Sequence, residues 1–427
     1  MSRIEVKIGG AEDTETAPAA RDDSPRRFRI LLMGDFSGRP SGPIEPRVID
    51  RDNFEEVLAG MKPAVDLNGV ALEFREMDDF HPDQIYQSAA AFQNLEPCPE
   101  PEPPPPPVAP RREVPTAGLL DQILAEHGGD EPVTAKDADD LAGFIRRVSA
   151  GHMERERPGE RAREARRQGL AAEVLRGILH HPRFQAMEAA WRAVDWLVHE
   201  LDTDADLRLY VLDITLAELV RKMDAVQAKL KEKGPWALIA GNYVFGQTPV
   251  DAEVLRRLGE MAKKLGVPFV GEARLSGEEA SERTWAELRG SEVARWIGLA
   301  MPRFLLRLPY GKEGLTVESL PFEEMPESEH QAYLWGNPAF ACAKLAGESF
   351  LAGRTVRRID GLPLHVYRED DEPVAKPCAE IFMTEEDAEN LLEAGFMPLV
   401  SVKNEPAAVL MRLQSIAEPA AALAGLG

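Results

Sequence analysis

The chain has 427 residues, 44% hydrophobic and 29% charged, with a formal net charge of −23. That length supports two or three units with real cores, and the acidic balance argues against nucleic acid or an anionic membrane surface as partner. Three scattered cysteines (Cys98, Cys342, Cys378) make neither a disulfide frame nor a zinc site, no apolar run is long enough to insert in a membrane, and the opening MSRIEVKIGG lacks a signal-peptide succession, so a cytoplasmic protein is predicted.

Residues 4–8 (IEVKI) alternate apolar and charged positions before two glycines, which predicts a short strand carrying Ile4, Val6 and Ile8 on one face. A polar tether follows to about residue 27. A strand on a tether is suited to adding to another chain's sheet edge, and a frayed terminus is the plain alternative. FRILLM at 28–33 predicts a buried strand, and the glycines after it lack the Lys-Ser/Thr of a phosphate loop. A helix is expected over 50–61 with Asp50 or Asp52 as N-cap, then a strand over 70–77 and a helix over 84–95.

Asp78, Asp79, His81 and Asp83 crowd into six residues, but no second ligand group accompanies them. Helix capping by Asp79 or Asp83, with Pro82 in the first turn, accounts for them better than a metal. The stretch EPCPEPEPPPPPVAPRREVP is too rich in proline to join a core and predicts a semi-rigid spacer. Residues 117–205 show helical spacing throughout. In the more apolar part, Phe184, Met187, Trp191 and Val194 recur at three- and four-residue steps, while His180-His181 before Pro182 suits a cap.

Beyond 206 strand and helix alternate: strands at 207–214, 235–240 and 267–270, helices at 215–233 and 251–265. The pattern predicts an α/β fold, with a mostly parallel or mixed sheet covered by helices. Gly241-Asn242-Tyr243 and Gly271-Glu272 fall where an α/β enzyme would place a site, yet no nucleophile elbow or dinucleotide fingerprint is present. Residues 295–311 (RWIGLAMPRFLLRLPYG) form the densest apolar passage and hold Arg303, Arg307 and Tyr310. Buried guanidiniums need partners, and the following acidic run of Glu318, Glu323, Glu324, Glu327 and Glu329 offers them. Together with Trp191 and Trp335, these residues are expected to form a structural keystone. Removal of Arg303 is expected to cost about 3–5 kcal/mol of stability if the pair is buried. Further helices are expected at 339–351 and from Thr384 to Gly395, with strands at 357–366 and 381–383.

Several of these passages resemble the contractile sheath of the type VI secretion system. FRILLMGDFSGR, VIDRDNFEEVLAGMKP and LEFREMDDFHPDQI are similar to the small sheath subunit (TssB/VipA type). GILHHPRFQAMEAAWRAVDWLV, GNYVFGQTPVDAEVLRRL, LAMPRFLLRLPYG, YLWGNPAFACAKLAGESF and EIFMTEEDAENLLEAGFMPL are similar to the large subunit (TssC/VipB type). The implied organisation is a strand and tether at 1–27, a small-subunit-like domain at 28–95, a proline-rich linker at 96–116, a helical region at 117–205 and a large-subunit-like α/β domain at 206–427.

The resemblance implies a mechanical protein without catalytic residue, metal or cofactor. Its implied partners are itself and other sheath subunits, inner-tube and baseplate components, and an ATP-driven unfoldase, with no nucleic acid and no membrane insertion. The family usually encodes the two subunits separately and carries a further segment where this resemblance stops. A sheath subunit that exchanges residues 4–8 with its neighbours and a non-polymerising adaptor or cap both fit. The competing class is an α/β enzyme acting on an anionic substrate through Asp78 to Asp83 or the Arg303/Arg307 pair.

Overall fold

A computed structural model describes residues 28–89, 92 and 160–426, apart from 41, 68, 204–205, 276–281, 313, 326–329 and 370–371. The expected strand and tether at 1–27 and the proline-rich linker lie outside the described residues, as do the first helices expected after it.

The first strands are β1 (Phe28–Gly34), β2 (Arg47–Ile49), β3 (Ala64–Asp66) and β4 (Ala71–Glu73). Later come β5 (Leu207–Asp213), β6 (Leu238–Phe245), β7 (Phe269–Ala273), β8 (Ile297–Met301), β9 (Phe304–Leu305) and β10 (Trp335–Gly336). The last are β11 (Arg358–Asp360), β12 (Val366–Glu369), β13 (Glu372–Ala375), β14 (Met397–Ser401) and β15 (Ala407–Leu410). Nine of them form one sheet in the order β11-β15-β14-β8-β7-β6-β1-β5-β2. The six strands from β14 to β5 run parallel, β2 and β15 run against them at the two ends, and β11 pairs antiparallel with β15.

The first strand of the chain therefore lies inside the sheet. β1 pairs with β5 over seven residues, Phe28 against Leu207 through Gly34 against Asp213, and with β6 on its other side. Its unbroken apolar run is what a strand covered on both faces requires. Ile30 and Leu32 enter one core, Leu31 and Met33 the other, because successive side chains point to opposite faces. Segments 28–89 and 206–426 thus share one sheet and two cores.

The helices are α1 (Phe54–Met61), α2 (Pro82–Ser88), α3 (Glu160–Leu179), α4 (Pro182–Glu200), α5 (Leu216–Arg221), α6 (Met223–Lys233), α7 (Pro249–Leu265), α8 (Glu282–Arg289), α9 (Pro338–Ala352) and α10 (Glu385–Glu393). The core containing Ile30 and Leu32 also holds buried residues of α3, α4 and α9, and the opposite core those of α6 and α7. Helix α4 begins where Pro182 ends the preceding run, with His181 as its N-cap accepting from the Arg183 N–H. It packs Trp191 edge-on against Phe36 and Phe54, and Phe184 against Phe74 and Phe80.

Several local expectations need correction. Asn53, rather than Asp50 or Asp52, stands at the N-cap of α1, because Asp50 instead accepts from the Asp52 and Asn53 N–H groups in the preceding turn. The helix expected over 215–233 divides at Lys222, whose backbone leaves helical geometry between α5 and α6. Residues 381–383 form no strand. Glu380 is turned onto Arg303, and Ile381 and Phe382 are left 48% and 65% exposed.

Candidate functional site

Two clusters concentrate the charged chemistry of the described residues, and both grow from the 295–311 passage. In the first, Arg307, in the loop after β9, is buried between Glu188 of α4 and Glu324 farther along that loop. Its Nε and Nη2 donate to the two Glu188 oxygens at 2.8 and 3.2 Å, while Nη1 and Nη2 donate to the two Glu324 oxygens at 2.7 and 3.0 Å. The Leu308 carbonyl accepts a further bond from Nη1 at 3.1 Å, and the guanidinium lies 4.3 Å from the Tyr310 ring centroid. Arg192, one turn along α4 from Glu188, donates to Glu188 Oε1 at 2.7 Å and to the Tyr310 hydroxyl at 2.9 Å. Two guanidiniums thus balance two carboxylates, which is the condition for burying such charges.

Burial alone would raise the Glu324 pKa. The Arg307 charge and its hydrogen bonds, with the Tyr310 N–H donating at 2.7 Å, overrule that and hold it at about 2. Burial works against the charge on Arg307, but Glu188 and Glu324 push its pKa well above the ordinary value. Every nitrogen of this guanidinium already has an acceptor, so Arg307 has no donor group left over for an anionic substrate.

The second cluster lines a cleft of about 1210 Å³ at the carboxyl ends of β7 and β8, where open α/β sheets place ligands. Arg303 makes a bidentate pair with Glu380 at 2.8 and 2.5 Å and retains 30% side-chain exposure. Burial pushes the Glu380 pKa up, but Arg303 draws it below the usual carboxylate range. Glu272, deeply buried, has its pKa raised by that burial, with Arg274 at 2.7 Å and Arg303 partly offsetting. Trp335 and Tyr333 wall the cleft, and Leu275, Ile381 and Phe382 are its exposed apolar lip.

The predicted residues therefore fall in two places. Arg307 and Tyr310 share the buried network, with Trp191 less than one turn from Glu188 on α4, whereas Arg303 and Trp335 belong to the cleft. Arg303 turns to Glu380, and among the described residues of the acidic run Glu324 is the one that reaches Arg307. Glu188 was missed, although a carboxylate at a helix position between Met187 and Trp191 on an apolar face signals a buried cation. Gly241 and Gly271 lie within β6 and β7, where an added Cβ would approach Phe269 and Phe245 to 2.6 and 2.9 Å. His81, rather than the expected Asp79 or Asp83, caps α2 through Nδ1, while Asp83 is drawn to the Glu318 and Ser319 N–H groups and accepts from both. Among the described residues no group of three or more His, Cys, Asp or Glu side chains is placed to hold a metal ion.

The VipB model, a tail sheath N-terminal domain, matches residues 169–277 and 275–417, more than half of the chain. The chain belongs to the VipB tail-sheath family. A second model, the VipA family of the type VI secretion system, matches residues 19–96. The type VI secretion system sheath protein TssC1 of Pseudomonas aeruginosa is 33% identical over an alignment covering 57% of this chain and 58% of that relative. The chain therefore spans a little over half the length of the curated relative it matches.

On this division, Glu188, Arg307, Glu324, Arg303 and Glu380 all lie in the VipB-matched part. β1, β2, Phe54 and Asp83 lie in the VipA-matched part. Contacts between the two parts are deep: Trp191 Nε1 donates to the Phe36 carbonyl at 2.9 Å, and Arg51 Nη2 to the His199 carbonyl at 2.7 Å. Among the described residues no helix is long and apolar enough to cross a membrane.

Proposed function

We propose that this chain is a structural, non-enzymatic subunit of a type VI secretion contractile sheath, acting in the cytoplasm, in which the small and large subunit types are one polypeptide. The observation that supports it best is β1. A strand from the VipA-matched segment is seated between β5 and β6 of the VipB-matched segment, so covalent fusion makes internal a contact that separate subunits would make between chains. The 96–116 spacer suits the join, since 21 extended proline-rich residues reach about 65 Å at 3.1 Å each.

Residues 4–8 then serve as the exchanged strand, with Ile4, Val6 and Ile8 entering a neighbour's sheet by edge addition. Head-to-tail strand exchange that does not close into a ring builds a helical tube, and interfaces with two stable packings store the energy of contraction. Other sheath subunits are the first partners. Inner-tube and baseplate components and an ATP-driven unfoldase follow from the same reading.

Negative-stain microscopy of the purified full chain tests it: tubes or rings are expected. Deletion of residues 1–10 should abolish them while leaving a folded monomer by circular dichroism. A monodisperse monomer from the full chain would point instead to a sheath-derived adaptor, and assembly unchanged by the deletion would remove residues 4–8 from the interface.

A further inference from the structure

At the end of the sheet opposite the Arg303 cleft lies a second groove, of about 760 Å³. Its floor is apolar, with Phe28 and Phe350 stacked at 4.7 Å beside Leu413 and Leu423. Its rim is basic. Helix α9 stops at Gly353 in left-handed geometry, and the chain then presents Arg354 and Arg357, with Arg412 across the groove. All three are exposed. Among the described residues Arg357 reaches only the Met411 carbonyl, at 3.3 Å, and none of the three is within ion-pair distance of a carboxylate. The neighbouring Arg358 shows the contrast, held by Asp360 and Glu405 at 2.7 and 2.6 Å. Three guanidiniums converging on one groove repel each other, and an anion between them turns that repulsion into attraction. In a chain of net charge −23 their gathering here, over an apolar floor, is a recognition surface for an acidic polypeptide.

We propose that the occupant is the acidic run at residues 12–15 of this same chain, carrying Glu12, Asp13 and Glu15. Three carboxylates meet three guanidiniums. Residues 16–27 hold Arg21, Arg26 and Arg27 against Asp22 and Asp23, so the acidic excess of the segment is concentrated in that run. The chain enters the sheet at Phe28, which is part of the groove floor. The 12 residues between Glu15 and Phe28 extend to at most about 40 Å, ample for the run to return to the rim. Covalent attachment there sets an effective concentration of roughly millimolar order, which favours the chain's own run over a second copy's. Docking of the run fixes the point from which residues 4–8 depart. It stands whether or not those residues join a neighbour's sheet.

The full-length chain carrying Arg354→Lys and Arg412→Lys keeps the rim charge and supplies primary amines for zero-length carbodiimide coupling. Mass spectrometry of the coupled monomer should find positions 354 or 412 joined to Glu12, Asp13 or Glu15. The yield should fall about tenfold in 1 M salt, where screening acts within about 3 Å. In the chain with an unaltered groove, Glu12→Gln, Asp13→Asn and Glu15→Gln together should speed modification of Arg354 and Arg412 by phenylglyoxal. Links to carboxylates elsewhere but none to residues 12–15 would overturn the proposal. So would links found only between isotopically distinct copies, or arginine reactivity indifferent to the acidic run. None of these readouts depends on tube formation, so failure here and failure of sheath assembly are told apart.

Discussion

Arg303 and Arg307 are four residues apart and carry different weights. Arg307 is enclosed, so Arg307→Ala leaves Glu188 and Glu324 buried beside each other with Arg192 as the remaining guanidinium, a loss of about 3–5 kcal/mol. Arg303 keeps contact with water, and its pair with Glu380 is expected to contribute only about 1–2 kcal/mol. Denaturant titration of the two alanine variants checks this order, and equal losses would contradict it. The expected cost of 3–5 kcal/mol thus moves from the first arginine to the second. Glu324 adds a pH signature. Its folded pKa of about 2 lies below the ordinary 4.5, so its contribution is complete above 4.5 and is lost as pH falls toward 2. A shift of that size is worth about 3 kcal/mol. The stability difference between wild type and Glu324→Gln should therefore shrink across that window, and a difference constant from pH 6 to 2.5 would refute it. The acidic run made Glu324 a legible candidate. The Glu188 and Glu380 pairings, 119 and 77 residues away, depend on how α4 and the segment after β13 are laid on the sheet.

At the scale of elements, α4 joins the parts. One face of it carries Phe184 and Trp191 into the VipA-matched segment, and Glu188 takes Arg307 from the VipB-matched one. Trp191→Phe keeps an aromatic ring but removes the pyrrole part of the indole with the N–H that satisfies the buried Phe36 carbonyl, for an expected loss of at least about 1–3 kcal/mol. Urea unfolding should show a lower midpoint at an unchanged slope, and an unchanged midpoint would show that the carbonyl finds another donor. Elements with strong local signals were readable: the 28–33 strand from its unbroken apolar run, α4 from its three- and four-residue spacing, α10 from Thr384 at its start and Gly395 at its end, to which the structure adds a capping box between Thr384 and Asp387. Residues 381–383 have strand-like composition but follow Glu380, whose pairing with Arg303 turns the chain away. Local composition could not register that tertiary competitor.

At the scale of the molecule, β1 decides whether the 96–116 spacer separates two folding units or only connects two parts of one. Composition made the spacer visible, but strand pairing across it is a non-local choice that the sequence pattern left open. A central parallel strand cannot be withdrawn without opening both cores, since Ile30 and Leu32 face one, Leu31 and Met33 the other, and β5 and β6 lose their shared partner. Burial of each such side chain is worth about 1.5–3 kcal/mol, so the four together represent roughly 6–12 kcal/mol, comparable with the whole stability of a typical domain. The fragment 117–427 expressed alone should accordingly aggregate or melt without cooperativity. Co-expressed with 1–95, it should purify as a stoichiometric complex that unfolds in a single calorimetric transition. A soluble 117–427 fragment that melts cooperatively on its own at the full chain's temperature would show that β1 is added to a finished fold rather than required to complete it.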